Sequence, residues 1–179
     1  MKNGIISDNS LVDGILNKYK SELGRQFEQY RNHVYRVCNF AVPYVDSAED
    51  VKTLLISAAF HDLGIWTNRT FDYLEPSVNL ALRFSAANNL NPKITSEIET
   101  IIRNHHKITR IKTSELAEIF RQADLVDLSL GLISCGRDPR DIRRIRKAFP
   151  NKGFHLNLTR LFIINLFKKP WNPLPMVKI

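Results

Sequence analysis

Apolar residues recur at three- and four-residue spacing along most of this chain, interrupted by capping residues, glycines and prolines. That is the pattern of successive amphipathic helices. It predicts a first helix near 9–23, with Asp8 to Ser10 offering caps. A longer helix from about Arg25 to Tyr44 places Val34, Val37, Phe40, Ala41 and Tyr44 on one face. Ser47-Ala48-Glu49-Asp50 is a capping sequence, a hydroxyl with an acid three residues on. It opens a helix through His61-Asp62, with Gly64 as the stop. Residues 65–75 read as a loop anchored by Trp66, Phe71 and Tyr73. Pro76 and Ser77 begin a helix to about Asn89. Asn91-Pro92 caps the next, which carries Ile94, Ile98, Ile101 and Ile102 and reaches His105-His106. Thr113 or Ser114 caps a helix containing Leu116, Ile119, Phe120, Ala123 and Leu128. Asp138-Pro139 precedes a basic helix to about Phe149, and a last helix spans roughly 155–168. The proline-rich tail, Pro170 to Pro175, is expected to be extended. No hairpin turn, alternating run or internal repeat is visible, so the expected class is all-α, a compact multi-helix bundle.

Against that background one dipeptide stands out. The run Leu54-Leu55-Ile56-Ser57-Ala58-Ala59-Phe60 ends on His61-Asp62 and is followed by Leu63-Gly64. A buried carboxylate needs a partner, and a histidine beside it makes a divalent cation the economical one. Two further helices offer inward metal-competent groups. His33 shares a face with Val37, Phe40 and Ala41, and Asp124 lies midway between Phe120 and Leu128. Two imidazoles and two carboxylates suit a divalent ion that keeps positions open for water and substrate. Asp127, one turn on, competes with Asp124 for this role, with a solvated or capping residue as its plainer reading.

The ordered set His33, His61-Asp62 and Asp124 resembles that of the HD-domain superfamily of metal-dependent phosphohydrolases, over roughly residues 25–130. Only this resemblance favours Asp124 over Asp127, and it implies that His33, His61, Asp62 and Asp124 ligate a divalent metal (Mn, Mg, Co, Ni or Fe). It implies an HD-domain bundle over 25–130, with a helical segment at 1–24 and a basic helical extension with its tail at 131–179, packed on the same domain. It also implies hydrolysis of a nucleotide or other small phosphate ester by a metal-activated water. Asp62 could then orient the water as well as bind metal. Family members with two metals carry further histidines before the final Asp. His105 occupies one such place, His106 is expected to face solvent or substrate, and Glu75 stands near the other slot, either as a ligand of a second metal or as a helix cap. His105 could bind that metal, contact phosphate or protonate the leaving group.

Ile65 stands where many family members have a lysine after His-Asp-x-Gly. Any contact of that lysine with phosphate must pass to another cation, with Arg36, Arg69, Arg103 and Lys107 as candidates. Arg36 and Arg103 are set down with Asp62 and His105 as candidate catalytic residues. A non-catalytic HD module binding a nucleotide or anionic partner is the alternative, and an oxidative di-iron enzyme a further one.

Charge sharpens this picture only locally. The net charge is +8, but residues 1–130 hold 15 Lys/Arg against 16 Asp/Glu, whereas 131–179 hold 11 against 2. Arg140, Arg143, Arg144 and Lys147 share one face of a predicted helix, with Arg137 and Arg146 nearby. A solvated face is the default, and no aromatic interleaving argues for nucleic acid. A small phosphate-containing substrate is the expected partner, and a homodimer is left open. No apolar run is long enough to span a membrane, and the N-terminus has no signal-peptide core. Cys38 and Cys135 form no metal motif or disulfide framework, so a cytoplasmic location is expected.

Overall fold

The computed structural model describes residues 4–177, and no strand occurs among them. The helices are α1 (Ser10–Lys18), α2 (Lys20–Leu23), α3 (Phe27–Ala41), α4 (Ala48–Phe60), α5 (Gly64–Thr67), α6 (Leu74–Ala87), α7 (Pro92–Asn104), α8 (Glu115–Leu128), α9 (Pro139–Ala148) and α10 (Phe154–Lys168). The all-α expectation holds. Four predicted caps form as read. Ser47 accepts from the amides of Glu49 and Asp50, Asn91 from Lys93, Ser114 from Ala117 and Asp138 from Arg140. Each satisfies backbone donors that a helix start leaves without partners.

The core is built around α3, which packs against α4 on one side and α8 on another, while α7 bridges α4 and α8. Eleven residues of α3 are buried, including polar Asn32, His33, Arg36 and Asn39. A helix buried nearly all round must satisfy its polar side chains from its neighbours. Asn39 does so by binding both backbone groups of Ile6, and Tyr35 Oη accepts from the Asn9 amide. The N-terminal segment is thereby fastened to α3. The C-terminal segment is fastened to the same helix. Asn32 donates to the Pro150 carbonyl at 2.8 Å, and Phe149 stacks on Tyr35 at 5.2 Å.

Several local expectations are corrected. The first predicted helix breaks at Tyr19 into α1 and α2, and the longer predicted helix is α3 flanked by 3-10 turns at Gly24–Gln26 and Val42–Tyr44. Tyr44 is half exposed rather than core, and the Arg137 guanidinium lies over its ring. Residues 65–75 are not all loop, because α5 forms at once after His61-Asp62. Gly64 does not stop a helix but begins α5, and its lack of a side chain serves a close approach. A Cβ there would meet the Tyr73 carbonyl oxygen at 2.5 Å and the Ser77 amide at 2.9 Å. Its own amide donates to Ser77 Oγ at 2.9 Å. The chain leaving Asp62 is thus pressed onto the start of α6, which begins at Leu74 rather than Pro76. The tail is not extended. Asn165 donates to the carbonyls of Asn172 and Pro173, and Met176 is buried.

Candidate metal centre

His33 from mid-α3, His61-Asp62 from the end of α4 and Asp124 from α8 converge in the interior, each at most 3% exposed. His33 Nδ1 lies 2.7 Å from Asp127 Oδ2, and His61 Nδ1 lies 2.8 Å from the Ala58 carbonyl. Both partners only accept, so in the neutral form of both rings Nδ1 carries the proton and Nε2 presents its lone pair. The two Nε2 atoms face one another at 2.9 Å. With both rings neutral this is a repulsive contact, relieved by a metal ion between them or by a proton on one Nε2.

Carboxylate oxygens complete the cage. Asp62 Oδ2 lies 3.6 Å from His33 Nε2 and 3.4 Å from His61 Nε2. Asp124 Oδ1 lies 3.6 and 3.7 Å from the same two atoms. Donors about 2.1 Å from a common ion sit about 3.0 Å apart in an octahedral and about 3.4 Å apart in a tetrahedral arrangement. The separations observed bracket those values. Two ionised carboxylates also match the charge of a divalent cation.

The electrostatics favour a cation here. Burial opposes ionisation of Asp62, but His61, His105 and His33 outweigh it and hold the carboxyl well below its ordinary range. Asp124 is lowered in the same way, against burial, by His61 and His106. Burial would depress the His61 imidazole, yet Asp62 and Asp124 push it up to about 9. Tyr30 and Tyr73 are raised by burial and then by the two aspartates, so both remain phenols at neutral pH.

Asp62 and Asp124 each turn their second oxygen toward a second pair of histidines. Asp62 Oδ1 lies 3.4 Å from His105 Nε2, and Asp124 Oδ2 lies 3.8 Å from His106 Nδ1. His105 Nδ1 donates to the Ile102 carbonyl, so its Nε2 is again a lone pair. Both Asp62 Oδ1 and His105 Nε2 are buried without a hydrogen-bond partner. Such atoms are costly unless something binds them. Three overlapping groups therefore meet the geometric needs of a metal site: His33, His61 and Asp124; His61, Asp62 and His105; His105, His106 and Asp124.

His106 was expected to face solvent or substrate, but it joins the cluster. Its Nε2 is 2.6 Å from Tyr73 Oη, and burial with the nearby His105 lowers it to about 4. Its side chain is 15% exposed, which makes this the wetter edge of the cluster. Glu75 is not brought into the cluster. It is exposed and ion-paired with Arg103, which also binds Glu99 at 2.8 Å. Arg103 is therefore held on the surface between two acids.

Arg36 is turned away from any substrate. It is 1% exposed, with Nε and Nη2 on the two oxygens of Asp127 at 2.5 and 2.9 Å and Nη1 on the Phe149 carbonyl. Asp127 is correspondingly not solvated. It is fully buried, and although burial opposes its ionisation, His33 and Arg36 hold its carboxyl well below the ordinary range. Its function is to orient His33 and fix the tautomer, the usual arrangement behind a ligating histidine. Phe154, from the first turn of α10, stacks on the His33 ring at 4.2 Å and closes the same side. Arg69 and Lys107 have no acidic partner among the described residues.

The HD domain family profile matches residues 30–129, which contain all six His and Asp residues of the cluster. The chain belongs to the HD-domain metal-dependent phosphohydrolase superfamily. No curated protein and no solved structure gives a significant match. HD domains bind divalent metals, and this one presents buried His and Asp groups that could hold such an ion. No helix among the described residues is long and apolar enough to cross a membrane.

Proposed function

We propose that this HD domain is a metal-dependent phosphohydrolase acting on a nucleotide or another small phosphate ester. The observation that carries the reading is the pair of facing Nε2 lone pairs of His33 and His61, flanked by Asp62 and Asp124. His33, His61, Asp62 and Asp124 would hold one divalent cation, and His105 and His106 would hold a second against the other oxygens of the same carboxylates. A bound cation of this kind supplies Lewis acidity toward a phosphoryl oxygen and lowers the pKa of water.

The chain's own residues supply the rest. Asp127 and Phe154 keep His33 in one orientation, and the Ala58 and Ile102 carbonyls do the same for His61 and His105. The phosphate ester would enter on the His106 edge, where the Tyr73 hydroxyl is within hydrogen-bond distance of that ring. Tyr73, held protonated, can donate to the substrate side. Lys107 follows His106 directly in the chain and would be the cation to neutralise charge there.

The test is a screen of the full chain, with Mn, Mg, Co, Ni and Fe, against phosphomonoesters, cyclic nucleotides and dinucleotides. Turnover that falls at least about a hundredfold in His61→Ala and Asp62→Ala is the expected result. Activity and metal retained in both variants would overturn the reading. Metal binding with no turnover on any substrate would favour a non-catalytic module instead.

A further inference from the structure

A concavity of about 440 Å³ lies where α5 and the loop after it meet α10. Arg69, Arg160 and Lys168 line it, and none of the three has an ion pair among the described residues. Glu22 is the one carboxylate in its wall, and that group accepts the Ser21 hydroxyl. Between the cations the wall is apolar and aromatic, with Trp66, Phe71 and Leu161. Arg160 and Lys168 lie on one face of α10, about 12 Å apart along its axis. Extended arginine and lysine side chains can close that gap onto one phosphate held between them.

This pocket is wired to the metal centre at both ends of its aromatic wall. Trp66 packs on Tyr30 at 4.7 Å, and the Tyr30 hydroxyl accepts from the Asp62 amide. Phe71 packs on Tyr73 at 6.2 Å, and Tyr73 bonds His106. One ring therefore separates the pocket wall from cluster residues on either side. Arg69 is also held at φ +50, a backbone conformation that costs energy for any residue with a side chain. A pocket of equal volume beside α4 and α7 has the opposite character. Asp46, Glu49, Asp50, Glu97 and Glu115 face a single lysine there, and an anion would be repelled.

We propose that the pocket beside α5 and α10 recognises a nucleotide moiety of the substrate remote from the scissile phosphate. Arg69, Arg160 and Lys168 bind its phosphate, and its base lies against the Phe71 and Leu161 side of the wall. The assignment rests on the phosphohydrolase reading and adds the substrate class to it.

The experiment is calorimetric titration of the metal-loaded full chain with α,β-methylene-ADP, pyrophosphate and adenosine, repeated on Arg160→Ala/Lys168→Ala. Both substituted positions are exposed on α10, and circular dichroism with metal affinity confirms that the variant is folded. The nucleotide analogue is expected to bind more tightly than either pyrophosphate or adenosine. Its affinity should fall at least about tenfold in the variant, since each lost charge-assisted hydrogen bond is expensive. An affinity for the analogue equal to that for pyrophosphate, or one unchanged in the variant, would overturn the assignment. Binding of the analogue requires no turnover. A failed pocket is therefore distinguishable from a failed hydrolase reading, which is decided by the His61→Ala and Asp62→Ala variants.

Discussion

Replacing Asp127 with asparagine separates positioning from ligation. Asp127 accepts from His33 Nδ1 at 2.7 Å, from Arg36 Nε at 2.5 Å and from Arg36 Nη2 at 2.9 Å. An asparagine has one oxygen and one NH2 for these two sides. If its oxygen faces Arg36 Nε, its NH2 meets His33 Nδ1 and forces the proton to Nε2, which destroys the ligating lone pair. If it is flipped, the NH2 meets Arg36 Nε, donor against donor. In either orientation the buried guanidinium of Arg36 loses its counter-charge. Removing one partner of a buried pair costs about 3–5 kcal/mol. That is a large part of the roughly 5–15 kcal/mol stability of an ordinary domain. At about 2–4 °C per kcal/mol for a chain of this size, the metal-free melting temperature should fall by about 6–20 °C. Metal affinity should fall separately, by about 10–100-fold. Thermal unfolding without metal and calorimetric metal titration measure the two effects. Asp127→Asn/Arg36→Met removes the buried stranded charge and leaves only the partly exposed Arg146, 3.5 Å from Asp127 Oδ1, so it should recover much of the stability but not the affinity. Wild-type melting and wild-type affinity in Asp127→Asn, or full recovery of affinity in the double variant, would refute the reasoning.

Two further predictions follow from other parts of the structure. Gly64→Ala places a Cβ 2.5 Å from the Tyr73 carbonyl oxygen and 2.8 Å from Pro76 Cβ, so α5 and α6 must separate. The variant should lose about 1–3 kcal/mol in denaturant unfolding and bind metal less tightly, because Asp62 is two residues away. Glu118 is held down to about 2, chiefly by its hydrogen bonds to Arg121, against an ordinary value of about 4.3 for an unfolded chain. The stabilisation from that depressed value is complete above the unfolded pKa and is lost as pH falls through the folded one. The melting-temperature gap between wild type and Glu118→Gln should therefore narrow steadily from about pH 5 to about pH 2. A gap independent of pH would contradict it.

How much of this was legible in the sequence depended on range. The caps at Ser47, Asn91, Ser114 and Asp138 are local chemistry and form where they were read. His33, His61, Asp62 and Asp124 were legible because helical spacing decides which side of a helix they occupy. Gly64 reads as a helix stop because its actual role is set by backbone further along the chain, at Tyr73 and Ser77, and not by its immediate neighbours. From the sequence Arg36 reads as a candidate phosphate contact and Asp127 as a solvated or capping residue, because each is costly to bury alone. They are buried as a pair, across ninety-one positions of sequence. A signal was present: His33 and Arg36 stand three apart on α3, as Asp124 and Asp127 do on α8. Two such pairs on facing helices can meet ligand to ligand and acid to base. Glu75 was placed near the cluster by order alone, and its competing attraction to Arg103 was invisible without the packing of α6 on α7. Phe154 gave no signal, since its stacking on His33 depends on how the C-terminal segment returns to α3.

The central claim is that the buried His and Asp cluster is a divalent-metal site. It is tested most directly by equilibrium titration of the metal-stripped full chain with Mn, read by calorimetry beside His61→Ala and Asp124→Ala. Saturable binding by the wild-type chain, weakened at least about a hundredfold in both variants while each stays folded, is the predicted result. Binding of equal strength in all three proteins, or none in the wild type, would contradict the account.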